Sequence, residues 1–161
     1  MIVLGIDPGT RKTGYGIIRK DGSRLTRLDS GVILLNTKLP YEERLPELFD
    51  KLNEIIVTNG PTQGAVESLF FSKNASSALK LGHARGVILL CMQRHALSIA
   101  SYPPAMVKRS IIGGGRAEKT QIQRVVGAIL RAKSPLQEDE ADALAIAICH
   151  ANASAIGARG K

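Results

Sequence analysis

One mixed β-sheet flanked by helices is the α/β fold this sequence predicts, and three observations lead there. The chain opens with three strand-like segments joined by short turns. Helical and strand-like periodicities then alternate through the middle, and helices close the chain. With 161 residues and no linker or internal repeat, it has the size of one domain, assigned to residues 1–152, with 153–161 expected as a flexible tail.

Ile2, Val3, Leu4 and Ile6 form an apolar run typical of a strand buried on both faces, ending on Asp7 before the turn pair Pro8-Gly9. Gly14 to Lys20 and Leu25 to Leu35 read as the second and third strands of an antiparallel meander, with Lys20-Asp21-Gly22 as a hairpin signal. Leu45, Leu48, Phe49, Leu52, Ile55 and Ile56 recur at helical spacing. Pro40 lies near the start of that helix, and Asn59-Gly60-Pro61 stops it. Gln63 to Ser68 is a short strand that delivers Glu67 to its end. Asn74 to Arg94 is a helix apolar around much of its circumference, a pattern that predicts burial by more than one neighbour, a second subunit being one candidate. Leu97 to Ser101 reads as a fifth strand, and Pro103-Pro104 opens a short basic turn. Ala117 to Arg131 and Glu138 to Ala151 are the closing helices. Crossovers through the helices supply the parallel part of the sheet.

The charge is +8, and its placement is uneven. From Glu67 to Glu118 no acidic residue intervenes, while Lys73, Lys80, Arg85, Arg94, Lys108, Arg109 and Arg116 all fall between them. Such a stretch suits a polyanion, and with aromatic residues at 4%, contact with a nucleic-acid backbone fits better than a stacking platform. A soluble basic surface would look the same by charge alone. Cys91 and Cys149 lie in apolar helical surroundings without CxxC spacing and read as free buried thiols of a reducing compartment. No signal peptide precedes the first strand, and the longest apolar run, Val87 to Met92, is too short to span a bilayer, so a soluble cytoplasmic protein without a membrane partner is expected.

Asp7 at the rim of the core is either a turn cap or a metal ligand or catalytic acid, since an ionised carboxylate there calls for a cation. Glu138, Asp139, Glu140 and Asp142 crowd the start of the last helix. Acids in a first turn suit the helix dipole, but Asp142 lies beyond the cap within an apolar run, with Asp139 three residues earlier on its face. If Asp7, Glu67, Asp139 and Asp142 converge at the sheet edge, they make an all-oxygen cluster suited to Mg²⁺ or Mn²⁺. Two such ions about 3.5–4 Å apart clamp both oxygens of a phosphodiester displacement, which in a basic protein reads as a nuclease.

Two further motifs are decoys. Gly113-Gly114-Gly115-Arg116-Ala117-Glu118-Lys119-Thr120 approaches a P-loop, but Glu118 stands where the second glycine is needed, so no nucleotide is expected and Lys119 is kept as a phosphate contact. Asp7-Pro8-Gly9-Thr10 looks like the first phosphate loop of the sugar-kinase and actin superfamily, which needs two such domains. His83, His95 and His150 show no ligand spacing. Of the adjacent Phe70 and Phe71, one is expected to be exposed beside the acids, with core packing as the alternative.

GIDPGTRKTGYG, VESLFFSKNASSALKLGHARG, IIGGGRAEKTQIQ and EDEADALAIAICHA, in that order, closely resemble the bacterial RuvC Holliday junction resolvases over essentially the whole chain. The resemblance implies an RNase H-like fold, a five-stranded mixed sheet with helices on both faces. It implies a homodimer that cuts a four-way DNA junction symmetrically at a thymine-containing sequence, in recombination and repair, alongside the RuvA and RuvB branch-migration proteins. It assigns the four catalytic carboxylates to Asp7, Glu67, Asp139 and Asp142, the basic residues at the scissile backbone to Lys108 and Lys119, and the junction-contacting aromatic to Phe70. Glu138 and Glu140 leave open which acids of this turn point at the metals.

Overall fold

The computed structural model describes residues 1–68, 74–113 and 119–158. Five strands form one sheet: β1 (Ile2–Asp7), β2 (Lys12–Asp21), β3 (Arg24–Leu34), β4 (Gln63–Glu67) and β5 (Ser98–Tyr102). Their order across the sheet is β3-β2-β1-β4-β5. β1, β2 and β3 are antiparallel neighbours, whereas β4 runs parallel to β1 and β5 parallel to β4. The expected meander and parallel half are therefore both present. Gly22, at φ +59°, turns the β2–β3 hairpin, where a side chain would be strained.

The helices divide between the two faces. α1 (Tyr41–Asn59) and α2 (Ala75–Arg94) cover one, burying Leu48, Leu52, Ile88 and Met92 against Leu4, Ile6, Ile17 and Val66. α3 (Pro104–Ile112), α4 (Lys119–Ile129) and α5 (Glu138–Ala158) cover the other, where Val107, Val126, Leu144 and Ile148 meet Val3, Ile18 and Ala65. Period-two alternation along β1 sends Leu4 and Ile6 to the first core and Val3 to the second, so the strand is buried on both faces as its apolar run implied.

Several elements depart from the sequence reading. The short basic turn after Pro103 is α3, a helix of nine residues. Its two prolines suggested a break, but Pro104 occupies the first helical position, where a missing N–H costs nothing, and Val107 and Ile111 supply a buried face. β2 begins at Lys12 rather than Gly14 because Lys12 and Thr13 pair with Leu34 and Ile33. α4 ends at Ile129, not Arg131. Arg131 takes a left-handed φ of 52°, and the N–H groups of Arg131 and Ala132 close on the carbonyls of Ala128 and Gly127. α5 continues past Ala151 to Ala158.

α2 shows only part of the burial that its apolar circumference predicts. Within one chain it buries only one side, through Ala84, Ile88, Cys91 and Met92, while Leu79 and Leu90 are 65% and 57% exposed. Its N-terminus is capped by Asn74, whose side chain accepts from the Ser77 N–H at 3.2 Å. Cys91 and Cys149 are free and buried, as expected. His150 is a core imidazole between the Tyr102 hydroxyl at 2.8 Å and the Gln63 amide oxygen at 2.7 Å, and burial lowers its pKa. Among the described residues no helix is long and apolar enough to cross a membrane.

Candidate active site

The strand register sets the first two acids side by side. Ile6 pairs with Val66 across the parallel β1–β4 ladder, so Asp7 and Glu67 end two neighbouring strands at the same sheet edge. Alternation turns Asp7 to the side of Val3 and Gly5, and Glu67 to the side of Ala65, which is the face α5 covers.

Glycines let α5 lie close upon that face. A Cβ on Gly5 would stand 2.2 Å from the Ala143 carbonyl oxygen, on Gly14 2.0 Å from that of Asp139, and on Gly16 2.6 Å from a Leu144 methyl. Gly14 is the β2 partner of Asp7. The first turn of α5 therefore rests on the residue beside Asp7, which is how a helical acid and a strand acid reach one place.

The acids of α5 separate by environment. Glu140 turns toward β3, where the Ser30 hydroxyl donates to it at 2.6 Å and the Arg27 guanidinium lies 3.4 Å away. It also accepts from the Gln137 N–H at 3.1 Å, as in a helix-capping box. Asp139 forms an ion pair with Lys12 of β2. Asp142 lines a cleft of about 200 Å³ together with Glu67, Lys108, Pro104, Val107, Ile122 and Ala145. Burial raises the Glu67 pKa, the charge of Asp142 raises it further, and Lys108 opposes both. Two carboxylates and one ammonium thus share a partly apolar cleft at the ends of the central strands.

Among the described residues, no three His, Cys, Asp or Glu side chains converge as a cage for one ion. The described acids instead form an adjacent strand-end pair, Asp7 and Glu67, and a helical pair, Asp139 and Asp142, with Glu67 and Asp142 meeting in the cleft.

The basic candidates divide in the same way. Lys108 is in the cleft. Arg85 of α2 is held at the strand ends, its Nε donating to the Glu67 carbonyl at 3.3 Å and its Nη2 to the Ser101 hydroxyl at 2.7 Å. Lys80 lies on the α1 side, its Nζ 5.7 Å from the centre of the Tyr41 ring. Phe70, Lys73 and Arg116 lie outside the described residues, as does the side chain of Lys119, the first residue of α4. The sequence reading missed Lys12, which had no signal because the second strand was expected to begin only at Gly14.

Comparison with known proteins accords with this arrangement. The family model for crossover junction endodeoxyribonuclease RuvC matches residues 3–150. The chain is 49% identical over 158 residues to the crossover junction endodeoxyribonuclease RuvC of Sorangium cellulosum, covering 98% of this chain and 88% of that one. It superposes on T. thermophilus RuvC in complex with Holliday junction substrate with a TM-score of 0.91 at 32% identity, covering 98% and 96% of the two chains. The yeast mitochondrial Holliday junction resolvase shares the fold at 14% identity, with a TM-score of 0.66 over 91% of this chain and 76% of that one. On its RNase H-like fold, this chain belongs to the RuvC family of crossover junction endodeoxyribonucleases.

Proposed function

We propose that this chain resolves four-way DNA junctions by symmetric paired nicks, using divalent ions held by Asp7, Glu67, Asp139 and Asp142, in homologous recombination and repair. The observation that carries the site assignment is the cleft in which Glu67 faces Asp142 and Lys108, at the strand end next to Asp7. Family membership carries the substrate class. Residues 1–152 are assigned as the nuclease domain, with α5 running on beyond them to Ala158.

The donor set suits Mg²⁺, with Mn²⁺ as a substitute and two ions per site. Every candidate ligand is a carboxylate, and burial together with the charge of Asp142 raises the pKa of the half-buried Glu67 against the opposing Lys108. When bound, such ions activate the attacking water and stabilise the leaving oxygen. The chain's own residues do the rest. Asp7 and Glu67, fixed by the β1–β4 ladder, and Asp142, fixed by helix packing, supply oxygens preorganised by the core. The Lys108 ammonium stands where it can neutralise the phosphate being cut. Lys119, Phe70, Lys73, Lys80, Arg85 and Arg116 are assigned to DNA contact on the acid-free basic stretch and the family resemblance.

Symmetric cutting needs two sites, and the outward stripe of α2 supports a homodimer. Leu79, His83, Gly86 and Leu90 follow one another at helical spacing, and a Cβ on Gly86 would touch nothing. RuvA and RuvB are the partners the family resemblance supplies.

The test is a labelled four-way junction with Mg²⁺ or Mn²⁺, compared with linear duplex. Paired nicks in the junction alone are expected, and Asp7→Asn binds without cutting. Cleavage that survives a chelator overturns the metal assignment. Junction binding with no product in either metal indicates a binding module on this fold.

A further inference from the structure

A second cleft, this one basic, lies where the turn that leaves Asp7 meets α1 and α2. It measures about 340 Å³ and is lined by Thr10, Arg11, Tyr41, Arg44, Ser77 and Lys80, six residues without a carboxylate among them. They come from three elements: the β1–β2 turn, the first turn of α1 and the first turns of α2.

Its walls are built. The Tyr41 hydroxyl donates to the Lys80 carbonyl, and the Lys80 ammonium sits over the Tyr41 ring, so α1 and α2 are tied where the cleft forms. Arg44 is clamped by the carbonyls of Leu39 at 2.8 and 2.9 Å and Thr37 at 2.9 Å, which holds its charge beside the cleft. The Arg11 carbonyl accepts from the Leu35 N–H at 3.0 Å, anchoring the turn to the end of β3. Among the described residues neither Arg11 nor Lys80 has a carboxylate partner. Three cations and three hydroxyls around one opening, with no acid, form a seat for a tetrahedral dianion or monoanion.

Position identifies the anion. Arg11 is four residues beyond Asp7, a span of at most about 14 Å. Along one DNA strand phosphates advance about 3.4 Å of helix axis per step, so a strand whose cut phosphate is at Asp7 carries further phosphates within the span that separates Asp7 from Arg11. We propose that Arg11 and Lys80, with the hydroxyls of Thr10 and Ser77, seat an uncut backbone phosphate of the DNA strand held at the acidic site. This extends the nuclease reading by naming where the strand is gripped away from the cut, and it rests on that reading for the identity of the DNA.

The experiment measures junction binding without divalent metal over a range of salt for wild type, Arg11→Gln, Lys80→Gln and Arg94→Gln. Arg94 is exposed at the far end of α2, about 21 Å along the helix from Lys80, and controls for simple loss of charge. Arg11→Gln and Lys80→Gln are each expected to lower the slope of log affinity against log salt by up to about 0.9, the value for one lost phosphate contact, while Arg94→Gln leaves it unchanged. Arg11→Lys retains most of the slope. An unchanged slope in both cleft variants, or an equal drop in Arg94→Gln, overturns the seat. Wild-type protein that binds the junction but never nicks it defeats the nuclease reading instead, and the slopes still decide the seat.

Discussion

Gly14 lies directly beneath Asp139: a Cβ on the glycine would come 2.0 Å from the aspartate's carbonyl oxygen. Because Gly14 also pairs with Asp7 in the sheet, one missing side chain lets the helical acid settle beside the strand acid. Gly14→Ala must lift the first turn of α5. The expected cost is about 1–3 kcal/mol of overpacking, seen as a lower denaturant midpoint, with a fall in junction cutting that exceeds the loss of folded protein.

Lys12 pairs with Asp139 through a side chain 54% exposed, so the pair is worth only about 0.2–1 kcal/mol. An ammonium on a proposed metal ligand competes with the ion. Lys12→Met is therefore expected to tighten Mn²⁺ binding by up to about fivefold, read by titration of the free ion, with little change in thermal stability.

Glu67 and Asp142 repel each other in a partly buried cleft with Lys108 as the opposing charge. In the metal-free protein Glu67→Gln is expected to raise the melting temperature at neutral pH. In wild type, a divalent ion at about 100-fold its Kd adds about 2.7 kcal/mol, roughly 5–10 °C, reversed by chelation. Glu67→Gln loses most of that increment and at least about 100-fold of its cutting rate. A variant that keeps the full increment removes Glu67 from the ligand set.

His150 predicts the acid limb of stability. Its pKa is lowered by burial, so the unfolded chain takes up the proton more readily than the folded one. Stability is therefore intact above the ordinary imidazole value of 6.5 and is lost as pH falls through and below it. Urea midpoints measured between about pH 7.5 and 5 should fall in wild type, and His150→Gln should flatten that slope while lowering stability at pH 7.5.

The exposed stripe of α2 predicts the assembly. Leu79→Glu or Leu90→Glu should give a monomer by light scattering, with junctions nicked singly rather than in pairs. A dimer that survives both substitutions places the interface elsewhere.

Much of this was legible from residue order. The apolar run ending at Asp7, the short strand ending at Glu67 and the out-of-place Asp142 are local patterns: alternation and helical period report which face a residue takes, whatever the chain does elsewhere. The four ordered motifs named the family on the same local basis. α3 escaped notice because two adjacent prolines suggest a break until one knows that the second starts a helix.

Tertiary structure decided what depends on neighbours distant in sequence. Whether Glu138 or Glu140 joined the acids was open from spacing; Ser30 and Arg27, on a strand over a hundred residues away, draw Glu140 toward β3. The one-sided burial of α2 was equally invisible, because an apolar residue reads the same whether its own chain covers it or leaves it bare. Sequence alone marked Asp7, Glu67, Asp139 and Asp142 as candidate acids, and alternation and helical period gave the face of each. The close approach of α5 over Gly5, Gly14 and Gly16 decided that strand and helix acids share one sheet edge, since contact between elements is a matter of shape, which periodicity does not carry.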